Sequence, residues 1–237
     1  MGWTQRNARW LFLGAIVVFV ASLGASTFIQ PTIPTPTPLP STTATPTATG
    51  SATPSSTATA TATLDPSIQR TYSAAPPMTI DTAKKYSALI KMQSGGEVRI
   101  ELLPQEAPQA VNNFVFLAKN RFYNGLTFHR VVPGFVAQAG DPRGDSRGGF
   151  GYTIPADKNT IRFDTGIIAM ATSQAGVSGS QFFITLAPQP GLQNGGYPAF
   201  GRVTQGMDVI QKLKPRDPDR PSGTGDVITS IQITEGS

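Results

Sequence analysis

The sequence predicts a mainly β domain, an antiparallel barrel with two helices, behind an N-terminal apolar helix and a disordered linker. Three observations predict it. Short apolar runs, many alternating with polar residues, recur along the later part of the chain between Gly, Pro and Asn turns. Only two stretches there, Val111 to Ala118 and Met207 to Leu213, read as helices. Composition also breaks sharply: no Asp, Glu, Lys or Arg occurs between Arg9 and Asp65. The charged fraction of the 237 residues, 14%, is low against about a quarter for average soluble proteins, and this front segment accounts for part of the deficit.

Trp10 to Ile29 is uncharged, mostly apolar and preceded by Arg6 and Arg9. It is about long enough to span a bilayer. The positive-inside rule keeps the N-terminus in the cytoplasm and exports the rest. A cleaved signal peptide would need a shorter apolar core and a small-residue site, which Ala21-Ser-Leu-Gly-Ala-Ser could supply. An uncleaved signal anchor over residues 1–29 fits the full length better. The expected product is a single-pass cell-membrane protein with its folded domain outside the cytoplasm, or a secreted one if the leader is cleaved.

Residues 30–78 form the expected linker. Gln30 to Pro66 is almost wholly Thr, Pro, Ala and Ser, which cannot build a core and favours disorder with polyproline II character. Extended, it would reach on the order of 100 Å at about 3.1 Å per residue, a spacer that lifts a domain off a membrane. Its composition also permits O-glycosylation. Leu64 to Thr82 reads as a transition, broken at Pro76-Pro77, and the folded domain is expected over residues 79–237.

Tyr86, Ala88, Ile90 and Met92 alternate, Ser94-Gly-Gly turns the chain, and Val98, Ile100 and Leu102 alternate again with Arg99 and Glu101 outward. That is an antiparallel hairpin with one buried face. Pro104 ends it, and Pro108 suits the first turn of a helix. Val111, Phe114, Val115 and Ala118 then make an apolar stripe, with Asn112, Asn113 and Lys119 off it. Phe122-Tyr-Asn-Gly125 is a turn. Phe128 to Val132 and Phe135 to Ala139 are strands about Pro133-Gly134. Arg130 shares a face with Phe128 and Val132, Gln138 shares one with Val136, and His129 points opposite to Arg130. A guanidinium on a mostly apolar face is costly unless it is paired or used. Asp141 to Gly151 is a Gly-rich loop, Ile167 to Ala171 and Gln181 to Leu186 are buried strands joined by a loop over Ser173 to Ser180, and Val227 to Thr234 alternates as a last strand.

Several chemistries are excluded. Cys is absent and His129 is the only histidine, so thiolate and His-based metal sites cannot be built, and no Asp/Glu cluster replaces them. Gly176-Val-Ser-Gly-Ser180 misses the nucleophile elbow by its last residue. Gly149-Phe-Gly151 continues to Ile154 where a dinucleotide motif needs Gly, and no Gly-Lys-Ser/Thr occurs. The net charge of +5 is scattered rather than striped, which gives nucleic-acid binding no footing. His129 reads as structural. No metal or cofactor is expected, and nothing signals an oligomer, so a monomer is expected.

Three blocks resemble, in order, the signatures of cyclophilin-type peptidyl-prolyl isomerases. They are Phe128-His-Arg-Val-Val-Pro-Gly-Phe-Val-Ala-Gln-Ala-Gly-Asp141, then Gly166-Ile-Ile-Ala-Met-Ala-Thr with Gly179-Ser-Gln-Phe-Phe-Ile184, then Phe200-Gly-Arg-Val-Thr-Gln-Gly-Met-Asp-Val-Ile210. The resemblance spans about Tyr86 to Thr234. It implies a closed eight-stranded antiparallel β-barrel capped by two α-helices, and isomerisation of Xaa-Pro bonds in proline-containing peptides and unfolded exported proteins. Carried over by position, Arg130 donates to the prolyl nitrogen, and Gln138 orients Arg130 and meets the substrate carbonyl. Phe135, Val136, Phe183 and Leu192 form the proline pocket. Ala171 and Thr172 offer backbone contacts, and Gln181 lines the groove, with Tyr197 beside it. The chain departs from the family at Val136 (often Met), Thr172 (often Asn), Gly191 (often Trp) and Tyr197 (often His), in a loop a residue longer. Loss of the Trp removes the ground for strong cyclosporin binding. A non-catalytic proline-peptide binding or chaperone module would share every pocket residue, and a purely structural surface protein is the third reading.

Overall fold

A computed structural model describes residues 64–147, 151–220 and 223–236. The apolar segment Trp10 to Ile29, the linker up to residue 63, and Gly149 and Phe150 of the glycine loop lie outside the described residues. All described residues belong to one unit of the chain, 56–237. Among them no helix is long and apolar enough to cross a membrane.

Strands β1 (Lys85–Met92) and β2 (Glu97–Leu102) form the expected hairpin, in register from Tyr86 opposite Leu102 to Lys91 opposite Glu97. Helix α1 (Pro108–Lys119) begins on its proline. Ala107 gives its N-terminus no side-chain cap. Asp157, distant in sequence, accepts the Gln109 and Ala110 N–H groups instead, at 3.1 and 2.8 Å. Val111, Phe114, Val115 and Ala118 are buried as their spacing requires. Phe114 meets Phe182 edge-on, ring centroids 5.5 Å apart, and Tyr123 meets the same ring at 5.5 Å. These aromatics fill the main core.

Asn112 and Asn113, expected on the polar side of α1, are also buried. Each is satisfied at long range, which makes its burial tolerable. Asn112 accepts the Thr79 N–H at 2.9 Å and donates to the Pro77 carbonyl. Asn113 donates to the Gly179 carbonyl at 2.6 Å and accepts the Tyr152 hydroxyl at 2.6 Å. Residues 64–80 thus lie against the domain as a strap. Ile68 is buried, and Leu64, Tyr72 and Ile80 pack on the core. Arg70 donates to the carbonyls of Phe122 and Asn124.

The remaining strands are β3 (Arg130–Val132), β4 (Val136–Ala139), β5 (Thr153–Ile154), β6 (Ile167–Ser173), β7 (Gly176–Thr185), β8 (Ala199–Gln205) and β9 (Ile228–Gly236), with helix α2 (Met207–Gln211) before the last. All pairings are antiparallel, in the order β3-β4-β7-β6-β8-β2-β1-β9, and β5 adds to β7. The expected closed, eight-stranded barrel is corrected on two counts. Nine strands form among the described residues, and their sheet is an open, curled half-barrel: β3 and β9 share no ladder. The isolated bridges Thr127–Val227 and Val131–Arg216 cross the seam, with a Gly125 N–H to Ile228 carbonyl bond of 2.7 Å beside the first. Proline explains the gap. Pro133 stops β3 after three residues, and the segment facing it carries Pro215 and Pro218, which lack the N–H that a ladder needs.

Two local readings also change. Ser173 to Ser180 is not a loop: it turns at Gln174-Ala175, and β7 starts at Gly176. Val177 is buried, it and Ser178 pair with β5, and Gly179 lies against the Tyr152 ring with no room for a Cβ. In β9 strict alternation fails. Met92 pairs with Ile228 while Lys91 pairs with Ser230, so Thr229 is bulged out and both Ile228 and Ile231 are buried.

Candidate active site

The β3–β4 turn needs a positive φ at Gly134, which is +70° there. The hairpin it closes sets Arg130 opposite Gln138 and Val132 opposite Val136. The next ladders carry the row onward: Gln138 faces Phe183 on β7, Phe183 faces Ala169 on β6, and Ala169 faces Ala199 on β8. Side chains directly opposite share a face of the sheet. Arg130, Gln138 and Phe183 therefore stand in one line on the face away from the main core. Phe182, one residue earlier, points into that core.

A second, smaller apolar cluster grows on this outer face around Val136, Phe163, Ile167, Ala169, Phe183 and Ala199. Phe183 is held between two rings: Phe163 stacks on it at 6.2 Å and Tyr197 meets it edge-on at 5.5 Å. The cluster floors a cleft of about 200 Å³. Arg130, Val136, Gln138 and Phe183 line it from β3, β4 and β7, and Phe135 from the β3–β4 turn. Ala171, Thr172, Leu192 and Tyr197 complete it. The Arg130 guanidinium stands over the Phe135 ring, 5.7 Å from its centroid, an electrostatically favourable stack.

Of the residues singled out in the sequence, only Gln181 is outside this cleft. It lines a neighbouring one and accepts a 2.8 Å hydrogen bond from the Gln138 side chain. That bond differs from expectation, because Gln138 is tied to Gln181 and not to Arg130. The Gly191 loop is a short 3-10 turn, Pro190–Leu192. A Cβ at Gly191 would meet nothing within 4 Å, so packing does not require the glycine.

His129 is fully buried on the opposite side of β3. Burial lowers its pKa and Arg216 adds to that, while Asp141 opposes it. The cleft itself is lined by no carboxylate, imidazole or thiol. Among the described residues no three potential metal ligands cluster. The chemistry available is therefore a fixed positive donor above an apolar floor. Sequence reasoning missed Phe163, Gln189 and Gln193. Gln189 donates to the Gly134 carbonyl at 2.8 Å, and Gln193 to the Ile161 carbonyl at 3.0 Å. All three lie in segments without periodicity, and only their contacts across the fold reveal them.

The site is thus a guanidinium over an apolar cleft, carried on the outer wall of an antiparallel half-barrel with two helices. The sequence model described as cyclophilin type peptidyl-prolyl cis-trans isomerase/CLD matches residues 88–235. The chain belongs to that family, and its enzyme class is peptidyl-prolyl cis-trans isomerase. Peptidyl-prolyl cis-trans isomerase B of Bacillus subtilis is 40% identical over 144 residues, 60% of this chain and 94% of the relative. A peptidyl-prolyl cis-trans isomerase of Helicobacter pylori is 41% identical over 155 residues, 64% of this chain and 88% of the relative. The crystal structure of a Cryptosporidium parvum cyclophilin-type isomerase is similar with a TM-score of 0.57 and 28% identity, covering 63% of this chain and 98% of that one.

Proposed function

We propose that Arg130 catalyses isomerisation by donating to the prolyl nitrogen while the cleft floor holds the ring. The observation that carries this is the guanidinium fixed over Phe135 at the rim of a cleft with no other charged group. The C–N bond has partial double-bond character and a barrier of about 18–20 kcal/mol. As it twists, the nitrogen loses conjugation and gains a lone pair. A donor aimed at that nitrogen binds the twisted state better than either planar one, which is what lowers a barrier. Uncatalysed exchange takes tens to hundreds of seconds. Reaching milliseconds means lowering the barrier by roughly 5–7 kcal/mol, at about 1.4 kcal/mol per tenfold. Phe135, Val136, Phe183 and Leu192 hold the ring. Gln138, braced by Gln181, meets the substrate carbonyl, and the Ala171–Thr172 backbone takes the preceding residues.

The test is cis/trans exchange of an Ala-Pro peptide followed by NMR with the full chain. Wild type accelerates exchange; Arg130→Ala loses about 100-fold or more, the size expected when a transition-state donor is removed, and still folds. If Arg130→Ala remains as active as wild type, the donor role is lost. Peptide binding without acceleration would favour the non-catalytic proline-peptide binding or chaperone module, for which the open position at Gly191 is the supporting observation.

The clients we infer are proline-containing, unfolded exported proteins. The uncharged segment Trp10 to Ile29 behind Arg6 and Arg9 supports a single-pass anchor, with the enzyme outside the cytoplasm on its spacer. Fractionation with protease treatment of intact cells checks this. The domain is expected with the membranes and open to protease. Full-length protein in the soluble cytoplasm would sink it.

A further inference from the structure

Beyond Arg130 the wall opens into a second cleft, of about 530 Å³, that the proline pocket does not use. One side is the β3 end of the β3–β4 hairpin, from Arg130 to Pro133; the other is the segment from Pro215 to Arg220. Arg130, Arg216 and Arg220 all line it. Among the described residues none of the three is in an ion pair. Arg216 is held by carbonyl oxygens, those of His129, Gly144 and Gly223. Those bonds fix its position and leave its charge in place. Of the two carboxylates on the same wall, Asp219 is paired with Arg147 at 2.7 Å, while Asp217 accepts the Asp219 backbone N–H at 3.0 Å and keeps its charge. Three arginines against one unpaired carboxylate leave the cleft net positive beside the reacting bond.

Its place relative to the proline pocket gives it a direction. It shares only Arg130 with that pocket. The cleft on the other flank shares Gln138, Ala171 and Thr172. A peptide whose residues before proline run along Ala171 and Thr172 must leave the pocket on the Arg130 side. We propose that the second cleft is a specificity site for an anionic side chain, the carboxylate of Asp or Glu, a few residues C-terminal to the isomerised proline. This rests on the reading of the proline pocket given above. Guanidinium groups suit such a guest because their forked donors match a carboxylate. Arg220 is exposed and free to close on the guest, while Arg216 stays tethered to backbone carbonyls and adds its charge nearby.

The experiment uses the full chain and Ala-Pro peptides that differ only in the second residue after proline: Glu, Gln or Lys. A further peptide carries the Glu two residues before proline. Dissociation constants come from NMR titration and exchange rates from the same samples. The Glu peptide should bind about fivefold more tightly than the Lys peptide at low salt, as expected of a solvent-accessible charge contact. The ratio should shrink toward one at high salt and invert in Arg220→Glu. Equal affinity for Glu, Gln and Lys, with all three isomerised, overturns the specificity site and leaves the catalytic reading standing. A Glu preference found only before the proline overturns it as well. A Glu preference after proline without any acceleration upholds the site and removes the catalytic reading.

Discussion

At the scale of the residue, β3 divides two neighbours between two environments. Arg130 is half-exposed at the cleft, and His129 is fully buried behind it. Burial, with Arg216 near, holds the imidazole below its ordinary pKa. A histidine with a lowered folded pKa binds fewer protons folded than unfolded. Stability is therefore complete above the unfolded value of about 6.5 and is lost as pH falls through it toward the folded value. Unfolding midpoints in urea should drop between about pH 6.5 and pH 5, before most carboxylates titrate. His129→Gln should flatten that slope. A wild-type midpoint constant across the window would refute the linkage.

The parity of these residues was legible in the sequence, since period-two alternation alone separates Arg130 from His129. The same rule separates Phe182 from Phe183, and the motif resemblance chose Phe183 for the groove, where the fold does bring it. Phe163 was not legible. It stacks on Phe183 from a segment that forms no regular element, and no local pattern announces such a contact.

At the scale of the element, the strap of residues 64–80 is the part that sequence undervalued. It follows a Thr/Pro/Ala/Ser tract and contains Pro76-Pro77, so composition points to linker. Its attachment depends on partners far away. Arg70 bonds two carbonyls of the turn after α1 and lies 6.0 Å from the Phe122 ring centroid. Arg70→Ala leaves those buried acceptors short of a donor and should cost about 1–3 kcal/mol. A chain cut to begin at Thr79 should lose more, since Ile68 and Tyr72 then no longer cover the core. Urea unfolding of both variants against the full chain measures this, and unchanged midpoints would show that the strap contributes nothing. The capping of α1 was hidden for the same reason. Pro108 announced where the helix starts, but its acceptor, Asp157, sits in another part of the chain.

At the scale of the whole molecule, the strands and helices could be read locally, but closure could not. Alternation marks β1, β2 and the central hairpin because each buries one face. Whether the first and last strands of a curled sheet meet depends on how they end. Here the prolines facing β3, Pro215 and Pro218, leave no ladder across the seam, and its bridges stay isolated. The open edge is also where the Arg216 segment approaches Arg130, so the gap in the ladder makes room for the second cleft.

Strand β7 serves two masters at adjacent positions: Phe182 belongs to the interior and Phe183 to the cleft. A substitution at Phe183 is an adjustment that evolution can try while the fold stands. Insertion or deletion of a single residue within β7 is a different event, because it exchanges the two rings and strikes both interior and cleft at once. The lineage can therefore drift in which peptides it serves by changing letters in this strand, but not by changing its length.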